Sequence, residues 1–215
     1  VRILANCVAS TFITVPEAKG VAHLLKSQVP NLKHIVTASD LRSATAISAS
    51  PVLTTNDTAF IQYTSGSTGN PKGVVLTHAN LLANIRAMGR VVEAGPKDVF
   101  VSWLPLYHDM GLIGAWLGSL YFAMLFVAMP PLSFLARPER WLWAIHHYHG
   151  TLSASPNFGY EYCLRRLSDE DLAGLDLSSW RTAFNGAEPV SPETLSNFSQ
   201  RFKAYGFTDK ALMPV

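Results

Sequence analysis

Cysteine is scarce in this 215-residue chain: Cys7 and Cys163 are its only two, far apart and without metal-like spacing. That argues against a disulfide scaffold and fits reduced thiols in a cytoplasmic protein. Charge is sparse as well, with Asp, Glu, Lys and Arg at 15% of residues and a formal net charge of +2. No basic tract or basic stripe interleaved with aromatics occurs, so no nucleic-acid or membrane-surface partner is expected. Internal repeats and low-complexity tracts are absent. The opening VRILANCVAS lacks the charged n-region and long apolar run of a signal peptide. Both this opening and the closing KALMPV read as interior stretches, so the sequence is expected to be a fragment of a longer chain.

What is present is mostly apolar, 48% of residues, ample for a sizeable core. The longest uncharged stretch is MGLIGAWLGSLYFAMLFVAMPPLSFLA, residues 110–136, long enough to cross a bilayer and carrying Gly114 and Gly118 at small-xxx-small spacing. Pro130, Pro131, a break near Phe122 and flanks without charge asymmetry oppose a membrane span. A buried helix followed by a buried strand is expected there instead.

Short β-rich runs alternate with helix-length segments along the chain. AFIQYT reads as a strand leading into a Gly-rich loop. THANLLANIRAMGRVV reads as a helix with Thr77 as N-cap and an apolar stripe of Leu81, Leu82, Ile85 and Met88. DVFVSWLP, LFVAM, TLSAS and WRTAFNG read as strands. ERWLWAIHHYHG reads as a helix ended by Gly150, NFGYEYCLRRL as another, and SPETLSNFSQRFKAYGF as a third with Ser191 as N-cap. Near the start, RILANCVASTFIT and LKHIVTA are expected to be strands flanking the helical PEAKGVAHLLKSQVP. The pattern predicts an α/β fold, mostly parallel sheet layers flanked by helices. Residues 1–55 would form the end of a first α/β subdomain plus a Ser/Thr/Ala-rich linker, and residues 56–215 a second α/β subdomain.

The loop YTSGSTGNPKG is the most informative stretch. Glycines permit close backbone approach, and the hydroxyls of Thr64, Ser65, Ser67 and Thr68 can donate hydrogen bonds, so it reads as a plain turn or an anion cradle. A strand before it and a helix from about Thr77 would place it at the carboxyl end of a parallel strand, with Lys72 adding positive charge. It is not a Walker A loop, because Pro71 stands four residues past Gly66 and Gly73 follows Lys72. It is not the dinucleotide pattern either, because Thr68 replaces the second glycine. His146, His147 and His149 put only His146 and His149 on one helix face, with no carboxylate or cysteine at a ligand-like offset, so no metal site is expected.

YTSGSTGNPKG, LPLYHDMGL, NGAEP and THANL, in that placement along the chain, resemble the motifs of the adenylate-forming superfamily. PLYHDMGLIG, PPLSFLARPERWLWAI, SASPNFGYEYC and DLSSWRTAFNGAEPV are most similar to the fatty acyl-AMP ligases. The resemblance implies an ATP-dependent ligase that joins a fatty acid to AMP with loss of pyrophosphate and transfers the acyl group to an acyl carrier protein. Transfer to CoA by an acyl-CoA synthetase is the alternative within the family, and a non-catalytic nucleotide-binding module the alternative outside it. The resemblance also implies residue roles. Thr64, Ser65, Gly66, Ser67, Thr68 and Gly69 would hold the β- and γ-phosphates, with Lys72 orienting the loop or offsetting charge. Asn185, Gly186, Ala187, Glu188 and Pro189 would form the adenine turn. His108 would be a wall or gate near the substrate carboxylate, with Asp109 orienting it or capping the next helix. Met110, Gly111, Asn157 and Phe158 would face the acyl chain. The family's magnesium glutamate, ribose aspartate and catalytic lysine are expected outside these residues, and the chain alone is expected to be inactive.

Overall fold

A computed structural model describes residues 1–42, 51–64 and 71–215. They form two compact units, Val1–Leu82 and Ala83–Val215. The first unit opens with α1 (Arg2–Asn6), β1 (Thr11–Thr14), α2 (Lys19–Lys26), β2 (His34–Thr37) and α3 (Ala38–Arg42). β1 and β2 pair in parallel, with Thr11 opposite His34, so the expected β-α-β unit is present. Its first strand is shorter than expected. Arg2, Leu4 and Ala5 favour a helix and RILAN becomes α1, and extended backbone begins only where β-branched and aromatic residues gather in TFIT.

The phosphate-loop region departs from its expectation. β3 (Thr58–Thr64) is followed by β4 (Lys72–Thr77), and the two run antiparallel with Thr64 opposite Lys72. The loop therefore joins the strands of a hairpin; it does not lead from a parallel strand into a helix. Val74, Val75 and Thr77 explain why: three β-branched residues in a run of four favour extended backbone before any helix can start. Residues 65–69 of the loop lie outside the described residues.

The helix that follows, α4 (His78–Val91), begins where Thr77 predicts. Thr77 Oγ1 accepts the Asn80 N–H at 3.2 Å while Asn80 Oδ1 accepts the Thr77 N–H at 3.0 Å, a reciprocal cap. Leu81 and Ile85 are buried as expected, but Met88 is exposed, and the seam continues through Val92. The cause is Gly89: the Phe122 ring occupies the space of its missing side chain, 2.0 Å from where a Cβ would stand.

The second unit centres on a five-stranded sheet: β5 (Val99–Ser102), β6 (Leu125–Ala128), β7 (Leu152–Ser155), β8 (Thr182–Asn185) and β9 (Leu212–Pro214). The spatial order is β6-β5-β7-β8-β9, and every neighbouring pair is parallel. Between β5 and β6 a helix runs from Met110 to Tyr121, its first eight residues (Met110–Leu117) π-helical and the remainder α5 (Gly118–Tyr121). Only one side of it is buried, with Gly111, Ala115, Gly118 and Ser119 inward and Trp116 and Leu120 outward. Among the described residues no helix is long and apolar enough to cross a membrane. α6 (Pro131–Ala136) and α7 (Glu139–Tyr148) lead to β7, α8 (Asn157–Arg166) leads toward β8, and α9 (Pro192–Phe202) toward β9. α7 ends in a left-handed residue, but it is His149 at φ 50°, one position before the glycine expected there. Gly150 answers a different constraint, since a Cβ on it would meet Val101 Cγ2 at 2.7 Å.

Trp141, Tyr160, Trp180, Phe134, Phe198, Phe202 and Phe207 are fully buried and pack edge-to-face or stacked around one another. Their polar tips find partners on the strands: Trp141 Nε1 donates to Ser153 Oγ at 2.8 Å, Trp180 Nε1 to the Thr182 carbonyl at 2.9 Å, and Tyr160 Oη to the Phe184 carbonyl at 2.7 Å. The aromatic layer is thus keyed to strand register as well as filling volume.

At the amino edge of the sheet one carboxylate joins the starts of three strands. Asp98, before β5, accepts Arg181 Nε at 2.9 Å and Nη2 at 2.8 Å, Thr151 Oγ1 at 2.7 Å and the Gly95 N–H at 3.0 Å. Arg181 Nη1 also donates to the Val92 carbonyl at 2.7 Å. Burial opposes charge on Asp98, but Arg181, Thr151 and Gly95 outweigh it and hold the carboxyl below its ordinary value of 3.8. A depressed carboxylate stabilises the fold above its ordinary pKa, and that contribution is lost as pH falls through the lowered value. Asp98→Asn is therefore expected to destabilise the chain by about 2 kcal/mol at neutral pH. The difference should narrow below pH 3.8. Urea denaturation of both proteins across pH 7 to 3 checks this, and a gap independent of pH would contradict it.

Candidate acyl and nucleotide site

Counted from β5, the sheet order is 2-1-3-4-5, so the chain runs to one edge through β6 and then returns past β5 to build the other. Right-handed crossovers place the 110–121 helix on one face and α7, α8 and α9 on the other. Beyond the carboxyl ends of β5 and β7, where the direction reverses, an open parallel sheet binds its ligands. The segments leaving those ends are residues 103–109 and 156–158, and the neighbouring β8 leads into residues 185–189.

Three of the expected site residues meet here through side chains. Asn157 is buried, and its Oδ1 accepts both Asn185 Nδ2 at 3.1 Å and the Ser191 N–H at 3.0 Å, while its Nδ2 faces Thr194 Oγ1 at 3.4 Å. Its amide is therefore committed to the turn after β8 and to the start of α9, where Ser191 also caps Thr194 N–H at 3.2 Å. Glu188 reaches from the same turn to α8, accepting the Phe158 N–H at 2.6 Å. Asn185 itself is fully buried, with Oδ1 unpartnered.

Phe158 faces outward, 41% exposed, with its ring edge on Trp103 at 5.7 Å between centroids. Trp103 is buried and stacks on Phe134 at 4.0 Å, so α6, β5 and α8 share one aromatic wall. The turn is shaped by two residues. A Cβ on Gly186 would stand 2.8 Å from the Val215 carbonyl oxygen, so that space belongs to the chain after β9. Ala187 takes a left-handed φ of 67° and is exposed, carrying only a methyl group outward, with Pro189 exposed beyond it.

In the loop after β5, His108 is half-exposed and its Nδ1 lies 2.8 Å from Asp109 Oδ1. The same Asp109 oxygen accepts the Met110 N–H at 2.8 Å and so caps the helix, while His108 Nδ1 faces that N–H at 3.3 Å. Met110 is partly buried against the core, and Gly111 lies so near the Pro105 carbonyl that a Cβ would approach to 2.4 Å. In the first unit, Thr64 and Lys72 are exposed and opposite one another where the hairpin loop opens. Ser65, Gly66, Ser67, Thr68 and Gly69 lie outside the described residues. His146 Nδ1 accepts the Asp176 N–H at 3.0 Å, and no group of three or more His, Cys, Asp or Glu among the described residues is placed to hold a metal ion.

The family described as AMP-binding enzyme matches residues 1–213. The chain belongs to it. The family's sequence relatives include the medium-chain-fatty-acid–acyl-carrier-protein ligase TtuA of Teredinibacter turnerae, 49% identical over 160 residues that make up 74% of this chain and 25% of that protein. A solved structure from studies of fatty acyl-adenylate ligases of E. coli and L. pneumophila matches 99% of this chain and 39% of its own, at 39% identity and a TM-score of 0.92. A fatty acyl-adenylate ligase of L. pneumophila in complex with acyl adenylate and pyrophosphate matches at 40% identity and a TM-score of 0.81, over 98% of this chain and 37% of its own. The chain thus spans between a quarter and two fifths of the length of these AMP-binding relatives.

Trp103 was not among the residues singled out from sequence, although its signal was visible: an aromatic immediately after a strand, at its carboxyl end. The bond from Glu188 had no local signal, because its partner lies 30 residues away. Asn157→Ala is expected to destabilise the chain by about 2–3 kcal/mol, because it strips partners from a buried amide and a backbone N–H. Phe158→Ala, at a half-open position, should lose about 1 kcal/mol or less. Chemical denaturation of the two variants checks the contrast, and equal losses would contradict it.

Proposed function

We propose that the protein carrying these residues activates a fatty acid with ATP, forming acyl-AMP and releasing pyrophosphate, and then passes the acyl group to the phosphopantetheine thiol of an acyl carrier protein. The observation that carries this reading is the edge where α8 and the turn after β8 are hydrogen-bonded into one surface, Phe158 on one side and Ala187 on the other. The kinship with fatty-acid ligases supports the choice of acid. The whole protein's substrate, acceptor and cytoplasmic location belong to the proposal as well.

The chemistry asks for position more than for acid or base. A fatty acid is already ionised near neutral pH, so its carboxylate oxygen attacks the α-phosphorus directly, the bond to the β-phosphate bridging oxygen breaks, and pyrophosphate carries the charge away. No proton has to be removed, and His108 serves as a wall or gate beside the carboxylate. Thr64 and Lys72 supply a hydroxyl and an ammonium at the mouth of the hairpin loop, a donor set that fits polyphosphate, and residues 65–69 between them would add hydroxyls and amides. In the second unit the base would lie against the exposed part of the turn after β8, where Ala187 offers a methyl and open backbone. The uncharged wall of Phe158 and Trp103 suits an alkyl chain, and Met110 in the loop after β5 would face it too. Magnesium would accompany the nucleotide and offset charge on the phosphates.

The test is an assay of the full-length protein with ATP, magnesium and fatty acids of graded length, with holo-carrier protein or CoA as acceptor. Fatty-acid-dependent exchange of pyrophosphate into ATP and acyl-carrier formation are expected. Lys72→Ala should lower kcat/KM for ATP by roughly 10- to 100-fold, the worth of one charge-assisted contact. The 215-residue chain alone should show no exchange. Thioester on CoA and none on the carrier would sink the carrier reading, and no adenylate at all would favour a nucleotide-binding module without turnover.

A further inference from the structure

We propose that Glu188 is a positioning residue that ties the nucleotide turn to the acyl wall, rather than a residue that touches the nucleotide. This rests on the function proposed above. α8 opens with Pro156 at its N-cap, which offers no side-chain acceptor, and no cap forms within the helix. Of the first-turn N–H groups, that of Gly159 turns back to the Pro156 carbonyl at 3.0 Å. That of Phe158 is satisfied by the Glu188 carboxylate at 2.6 Å. The carboxylate thus supplies from another loop the cap that the helix lacks, at the end where the helix dipole favours negative charge.

The geometry of the turn serves this bond. Ala187 sits at φ 67°, a conformation that non-glycine residues adopt at a penalty, and the residue that follows this bend is the one that reaches α8. The left-handed bend is held in place from the other side by Asn185, whose amide donates to Asn157 at the first residue of α8. Two successive residues of α8, Asn157 and Phe158, are therefore fastened to two residues of one turn, Asn185 and Glu188. The Asn157 fastening is buried. The Glu188 one is exposed, so it is the member of the pair that solvent can open. When it opens, the exposed methyl of Ala187 and the ring of Phe158 lose their common reference, and binding of base and of acyl chain should loosen together.

The experiment compares full-length wild type, Glu188→Ala and Glu188→Gln in two readouts. The first is hydrogen exchange. Glu188→Ala should accelerate exchange at the Phe158 amide and at the Ser191 amide that Asn157 accepts together, by about five- to tenfold, the size of losing one helix cap. Glu188→Gln, which keeps an acceptor oxygen, should recover most of the protection. The second readout is kinetic. Glu188→Ala should raise KM for ATP and KM for fatty acid by a similar factor and flatten the chain-length preference, with Glu188→Gln again intermediate. Acceleration confined to Phe158 would overturn the coupling. A rise in KM for ATP alone would show that Glu188 meets the nucleotide itself, and a lower denaturation midpoint with both KM values and the length profile unchanged would show a purely structural role; either result overturns the proposal. If wild type forms no adenylate, the functional reading fails by itself, and the exchange pattern still decides whether turn and helix are coupled.

Discussion

Reversal of strand order between β5 and β7 is the constraint on which the second unit depends. Because every strand pair is parallel and each crossover is right-handed, the chain cannot add β6 on one side and β7 on the other without sending its helices to opposite faces. The loops that follow β5 and β7 must then part, and what is left beyond the strand ends is lined by whatever those loops carry. Here they carry Trp103 to Asp109 on one side and Asn157 and Phe158 on the other. β8, next in line, contributes the turn at residues 185–189. The site residues lie far apart in sequence and share an edge only because the topology requires it.

The two ends of this sheet are built from different chemistry. At the amino edge a single carboxylate, Asp98, gathers Arg181, Thr151 and Gly95, and the guanidinium reaches on to Val92. At the carboxyl edge the ties are neutral amides around Asn157, with two exposed carboxylates, Glu188 and Asp109, each accepting a helix N–H. A charge network holds the strand starts where no ligand is needed. The opposite edge, where an anionic substrate is proposed to bind, ties its buried residues through neutral amides and keeps its carboxylates at helix N–H groups. Between them the aromatic layer around Trp141 and Trp180 fixes register by hydrogen bonds to Ser153 and Thr182.

Much of this was legible in the sequence, for local reasons. β5, β7 and β8 are short β-rich runs separated by helix-length segments, and α9 announces itself by Ser191 and Pro192. The readings that failed did so where a longer-range partner decided the outcome. Lys72 and Gly73 read as the end of a loop and Thr77 as the start of a helix, and pairing with β3 makes Lys72–Thr77 a strand. Met88 fitted the helical stripe by spacing, but Phe122 fills the face beside Gly89. Asn157 reads from sequence as a residue facing the acyl chain, yet its amide is turned to β8 and α9 while Phe158 next to it faces out. Nothing within ten residues of Glu188 marks it as the cap of α8. The motifs lie on segments that the sheet order brings to one edge, and tertiary contacts set what each of their residues touches.

The central claim is that the carboxyl edge of this sheet receives the base and the acyl chain of one adenylate. A crystal structure of the full-length protein with a non-hydrolysable fatty acyl-sulfamoyl adenosine tests it most directly. The account expects the adenine against Ala187 and its neighbours in the turn after β8, with the alkyl chain running beside Phe158. An analogue seated elsewhere, with both of these residues free of contact, would contradict it.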